Sequence, residues 1–190
     1  MAISHHLDLY RYWLAKRAGR TMPARRDLDP GDIPALLPYL MIVDKVDDRY
    51  RYRLVGTATA REIGHDPTGS LVGSYALECA AAARAIYGRT FASAHPVFAI
   101  GEHKTPWGAI HTMSLLVLPL SDNGTIVNMA VSTLAARFNF GVTASSDWPK
   151  GAPLKVHDAV DVHDAAELEE RCLDWERHCV IGSAAAERPC

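Results

Sequence analysis

No window of this chain approaches the 18 consecutive apolar residues of a membrane-spanning helix, so a membrane span is excluded. The N-terminus, MAISHHLDLYRYW, lacks the basic-then-apolar order of a secretory signal, and the expected location is therefore the cytoplasm. Cysteine is scarce. Cys79, Cys172, Cys179 and Cys190 form no CxxC pair and no disulfide framework, so Cys79 and Cys172 read as small buried hydrophobes. Neither sign of charge dominates: 20 Lys and Arg face 22 Asp and Glu, a net charge of -2 that gives nucleic acid no reason to bind. Signatures of catalysis are missing as well, with no GxSxG, HExxH, P-loop or GxGxxG. His157, His163, Cys172, His178 and Cys179 are the one Cys/His concentration, and their spacing matches no zinc pattern.

What is present is an ordinary globular composition, 48% hydrophobic and 22% charged over 190 residues. That length suffices for one domain with extensions and a core that needs no disulfides. Charge is unevenly spread. Residues 1–26 carry six Lys or Arg and one Asp, whereas residues 157–190 carry nine acids and three arginines. The two ends are thus either solvated helix faces of opposite sign or surfaces that pack together.

The organising stretch is 39–69. Leu40, Ile42 and Val46 alternate with Met41, Val43 and Lys45, and Tyr50, Tyr52 and Leu54 alternate with Arg51, Arg53 and Val55. Two strands about an Asp47-Asp48 turn follow, with the tyrosines and Leu54 facing a core and the arginines in water. Thr57 is the expected N-cap of a short helix ATAREI, and Gly64 its left-handed stop. Ahead of this unit, Ser4 caps a helix over 5–18 whose stripe is Leu7, Tyr10 and Leu14, widened by Trp13. The proline-dense connector 21–38 places Asp29 and Pro30 at the start of a helical turn ending at Pro38.

Behind the unit, an alanine-rich helix is expected over about 75–90, with Gly88 at its fraying end and His95-Pro96 as the break. A short strand over 97–100 and a polar connection over 101–108 come next. Two long strands, 109–120 and 125–136, then flank Asn123-Gly124, a strong hairpin signal. Residues 137–158 show no periodicity and read as a loop or linker. Asp164 to Glu167 is a capping box for a helix carrying Leu168, Cys172, Trp175 and Cys179 on one stripe, ended by Gly182. The division is an N-terminal helix and connector (1–38), a core domain (39–136), and a C-terminal loop, helix and tail (137–190).

The order ββαα-βββ gives an α+β fold, an antiparallel sheet with helices on one face. That order, with PARRDLDPGDIPALLPYL and YRYRLVGTATAREIGHDPTG, resembles the PAS fold, and more narrowly a stand-alone PAS-type family found mainly in alphaproteobacteria. The resemblance covers about Leu7 to Leu134. It is carried by Pro23-Ala24-Arg25, Asp29-Pro30, Arg53-Leu54-Val55-Gly56-Thr57, the turn from Gly64 to Gly69, and Leu118-Pro119-Leu120-Ser121. It implies a five-stranded antiparallel sheet cradling a small cavity under its helices, flanked here by N- and C-terminal helices, and used for sensing or protein contact. It implies no catalytic residues. Haem and flavin are known occupants of the fold, but no cofactor follows from the residues here.

The candidate cavity is lined by Tyr52, Leu54, Ile86, Phe98, Met113, Leu115, Met129 and Val131, with Thr57, His111 and Ser132 as its polar groups. That is the chemistry of a small-molecule site and equally that of a filled core. Leu7, Tyr10, Trp13 and Leu14 either cover the chain's own core or form a homodimer or partner interface. The expected function is a sensory, signalling or adaptor domain without catalysis, binding a small apolar ligand, a protein partner, or both. Its output would leave through the N-terminal helix or an exposed sheet face. The alternative is a small α+β enzyme with His111 and Asp66 as acid and base.

Overall fold

The computed structural model describes residues 4–74, 77–104, 110–138 and 155–185. Four helices, α1 (Ser4–Arg17), α2 (Thr57–Ile63), α3 (Leu77–Ser93) and α4 (Ala165–Ala185), surround six strands: β1 (Leu40–Val46), β2 (Arg49–Val55), β3 (Val97–Lys104), β4 (Ile110–Leu120), β5 (Met129–Phe138) and β6 (Lys155–Asp161). The strands form one sheet in the order β2-β1-β5-β4-β3-β6, with every neighbouring pair antiparallel. The expected α+β architecture is observed, with a sixth strand added.

That strand begins in the stretch read as a loop or linker and runs on past it to Asp161. β6 pairs with the outer side of β3, Val97 opposite Asp161 and Glu102 opposite Lys155. Its residues are exposed or half-buried, so the edge position leaves no apolar alternation for a sequence to display. β3 likewise runs on to Lys104, through residues read as a connection.

Both faces of the sheet are covered. The inner face packs against α3 through Met41, Val43, Tyr52, Val55, Val97, Ala99, Val117 and Ala130, met by Ile86 and Tyr87. The outer face packs against α1 and α4: Leu116, Leu118, Leu120 and Val131 meet Leu9, Tyr10 and Trp13 of α1 and Leu168, Cys172 and Trp175 of α4. Trp13 also donates its indole N–H to the carbonyl of Pro119 (2.8 Å). The charge asymmetry between the chain ends is met inside the molecule, since Arg11 on α1 pairs with Glu169 on α4 at 3.5 Å.

Local signals were mostly obeyed, with instructive exceptions. Asp29 accepts from the Gly31 amide (2.8 Å) ahead of a 3₁₀ turn at Pro30–Asp32. Pro38 does not stop a helix but sits inside a second such turn, Leu37–Tyr39. The N-cap of α2 is Gly56, and Thr57 is the first helical residue. Glycine is required there because a Cβ would strike the Leu37 and Pro38 carbonyls. Gly64 ends α2 at φ 89° as a left-handed cap. Asp164 caps α4 by accepting from the Glu167 amide at Oδ1 (2.8 Å), while Glu167 Oε2 accepts from the amide of His163, one residue ahead of the expected partner in a capping box (3.1 Å). α4 then continues past Gly182, which does not end it. Asn123-Gly124 lies in a longer loop over 121–128 instead of the expected four-residue connection 121–124, since Leu120 pairs with Met129. The Asn123 side-chain oxygen organises this loop by accepting from the Thr125 amide and hydroxyl.

Candidate functional site

The inner face beneath α3 carries an aromatic cluster with polar groups buried inside it. β2 supplies Tyr50 and Tyr52, and α3 supplies Tyr87 and Phe91. The Tyr50 ring lies 5.0 Å from Phe91 and 6.3 Å from Tyr87, within the range where ring pairs attract. Gly88, read from sequence as a fraying end, lies well inside α3, and a Cβ there would sit 3.2 Å from the Tyr50 hydroxyl. The absent side chain lets the tyrosine reach the helix.

Two hydroxyls bridge the layers: Tyr87 Oη and Ser132 Oγ are 2.9 Å apart and buried, joining α3 to the centre of β5. Thr90, one turn further along α3, is fully buried, and its hydroxyl has no partner among the described residues. His111 is buried on β4 and, by alternation with Leu115 and Val117, shares this inner face. Glu62 on α2 is the most perturbed acid. Burial raises its carboxyl to about 7, and its Oε2 meets no hydrogen-bond partner among the described residues.

The residues proposed from sequence do not line one cavity. Tyr52, Ile86 and Leu115 lie on the inner face, joined by His111 and by half-buried Met113. Phe98, Met129 and Val131 lie on the outer face, in the core under α1 and α4. Leu54 points to solvent and Thr57 is exposed at the start of α2. Period-two alternation fixes which residues share a face within a strand, but not how the faces of different strands are phased.

A β-bulge accounts for Leu54. Ile42 pairs with Leu54 and Val43 with Tyr52, so Arg53 is an extra residue and the alternation of β2 reverses across it. Val55, not Leu54, then joins Tyr52 in the inner core.

Of the two readings of the α1 stripe, the one observed within the chain is cover for its own core. Tyr10 and Trp13 are buried inside the chain, while Leu7 and Leu14 are only partly buried against the same core. With both sheet faces covered, neither the aromatic face of α1 nor an open central sheet is free for a partner. Sequence reasoning also missed His6. It is fully buried, its Nδ1 2.7 Å from Thr133 Oγ1 and its Nε2 3.0 Å from Ser114 Oγ, with its ring edge-on to Phe98. Burial, and secondarily the charge of His5, lowers its pKa to about 3. The signal for it was faint: a polar residue one turn ahead of Leu9, Tyr10 and Trp13 on the same helix face.

The acid and base of the enzyme alternative have different settings. Asp66 is exposed, and its carboxylate accepts from the Thr68 amide (3.0 Å) and hydroxyl (2.6 Å), which hold its pKa below the usual carboxylate range. Such a group is spent on a turn. Among the described residues no three His, Cys, Asp or Glu side chains converge as a metal site. No described helix is long and apolar enough to cross a membrane.

An antiparallel sheet with helices inserted between its second and third strands, roofing one face over buried polar groups, is the α+β layout that the sequence resemblance implies. The family pattern described as PAS domain matches residues 1–133, and the chain belongs to that family, one of sensory and signalling domains. The match ends within β5, so β6 and α4 lie beyond it. No curated protein matches the chain.

Proposed function

We propose that this PAS domain holds a small, largely apolar molecule against the α3 side of its sheet. It reports that molecule through contact with another protein, without catalysis. The supporting observation is the inner-face cluster: Tyr50, Tyr52, Tyr87 and Phe91 supply apolar area, while the Tyr87–Ser132 pair, Thr90 and His111 supply the few polar groups that would orient a ligand. Asp66, one of the acid–base pair of the catalytic reading, is engaged by Thr68, which favours the non-catalytic one.

The test is native mass spectrometry of freshly purified protein beside its denatured mass, with an absorption spectrum of the same sample. Extra mass lost on denaturation, and weakened retention in Tyr87→Phe, would support the site. A bare mass, together with no thermal shift from fatty acids or aromatic acids, would mean the inner face is simply a packed core.

A further inference from the structure

We infer that the outward side chains of β2 form a docking site for an acidic, amphipathic helical segment of a partner protein. The proposal deepens the reading of output by protein contact, and rests on that part of it alone.

The bulge at Arg53 creates the site. Asp44 on β1 is nearly buried on the outer face and pairs across to Arg51, whose guanidinium grips both carboxylate oxygens at 3.2 and 2.8 Å. Because Arg53 is the extra residue, it turns to the same side, with its guanidinium 4.0 Å from the same carboxylate. Arg49, two residues before Arg51, lies on that side as well, is exposed, and has no ion pair among the described residues. Two guanidiniums, those of Arg51 and Arg53, therefore reach one carboxylate, and Arg49 beside them reaches none among the described residues. Arg51 is consumed by it, whereas Arg53 reaches it only at 4.0 Å and makes no hydrogen bond to it, so that Arg53 and Arg49 present their guanidiniums to an external anion.

The cationic group is framed by apolar surface. Leu54 is 42% exposed on the same face, opposite Ile42. The strand then exits against the Leu37–Pro38 backbone at Gly56, and Leu37 is 38% exposed. These two are among the few large apolar side chains left in solvent. Arginines beside exposed leucines are the composition of a protein-binding surface.

The chemistry favours a polypeptide over other anions. The chain carries net charge -2, and two exposed arginines do not make the long basic track that a nucleic acid needs. A membrane surface would ask for about four to eight clustered basic residues. Strand addition is also closed off, because the outer edge of β2 is already bonded to 69–72, through Gly69 N–H to the Tyr52 carbonyl, Tyr52 N–H to Ser70 and Val72 N–H to Tyr50. The occupant must therefore meet side chains, not backbone. A helix with carboxylates at i and i+4 and a leucine on the same side has the required form.

The experiment uses the full chain and a labelled synthetic helical peptide with Glu at i, i+4 spacing and Leu on the same face, followed by fluorescence anisotropy. The expected result is binding that weakens with salt and falls about tenfold or more in Arg49→Glu/Arg53→Glu and when the peptide Glu are Gln, with Lys155→Glu on the opposite edge strand unchanged. Circular dichroism verifies folding. If the charge reversal disturbs it, Arg49→Gln/Arg53→Gln replaces it with the same expectation. Binding unchanged by these substitutions would overturn the proposal. So would a DNA duplex or phosphatidylserine vesicles binding as tightly as the peptide, or arginine-dependent self-association that excludes the peptide. None of these outcomes depends on whether the inner face holds a ligand, so the two proposals fail separately.

Discussion

His6 on α1 and Thr133 on β5 are 127 residues apart in sequence, and their side chains meet at 2.7 Å inside the outer core. Ser114 on the neighbouring strand takes the other ring nitrogen at 3.0 Å. The imidazole thus joins the N-terminal helix to two central strands, and does so only while neutral.

His6→Ala should lower the unfolding free energy by about 3 kcal/mol, because it leaves two buried hydroxyls unpaired as well as a cavity. The pH dependence follows from the depressed pKa, about 3 folded against 6.5 unfolded. Between these values the unfolded chain binds the extra proton, so the contribution is complete above pH 6.5 and is lost as pH falls toward 3. Urea midpoints at neutral and mildly acid pH should diverge in the native sequence and diverge less in His6→Gln. Equal divergence would remove His6 from the acid response.

Glu62 has the opposite sign. Its carboxyl is raised to about 7 from 4.5, so the fold favours the protonated form, fully so below pH 4.5 and progressively less as pH rises through 7. Glu62→Gln should therefore raise the melting temperature at pH 8 and leave it nearly unchanged at pH 4. A loss of stability at pH 8 would show that the charged form has a partner.

Gly56 and Gly69 test two different reasons for glycine. Gly56→Ala drives a methyl into the Leu37 and Pro38 carbonyls, and should cost upward of about 3 kcal/mol. Gly69 sits at φ 85° with open space around it, so Gly69→Ala carries only left-handed strain, about 1 kcal/mol. Denaturant titration of both variants should give that order, and a reversal would contradict the packing of the connector on the α2 cap.

Trp13 is 1% exposed and hydrogen-bonded to Pro119. Trp13→Ser should cost about 4 kcal/mol and give a chain with reduced helical signal. A folded monomer replacing a folded dimer would instead restore α1 as an interface between copies.

Cys172 is fully buried, and burial pushes its thiol up to about 12. Iodoacetamide should leave the peptide containing Cys172 unmodified in native protein and label it in urea, as read by peptide mass spectrometry. Rapid native labelling would mean that α4 lifts from the sheet.

The sequence by itself determined the elements that announce themselves locally. The alternation of β1, the Gly64 cap, the Asp29-Pro30 turn, the Asp164 cap and the motifs around 23–40 and 50–69 were enough for the fold class and the PAS resemblance. These signals need only backbone preferences and near neighbours. What tertiary structure decided was phase and coverage. The bulge at Arg53 turned Leu54 outward and Val55 inward, one residue undoing a correct alternation. The sheet separated Phe98, Met129 and Val131 from Tyr52, Ile86 and Leu115, because strand pairing sets relative facing. β6 showed no pattern of its own, since an edge strand is defined by the neighbour it bonds to. His6 became a buried tie only when Thr133 and Ser114 arrived from far along the chain, a juxtaposition that no local rule contains.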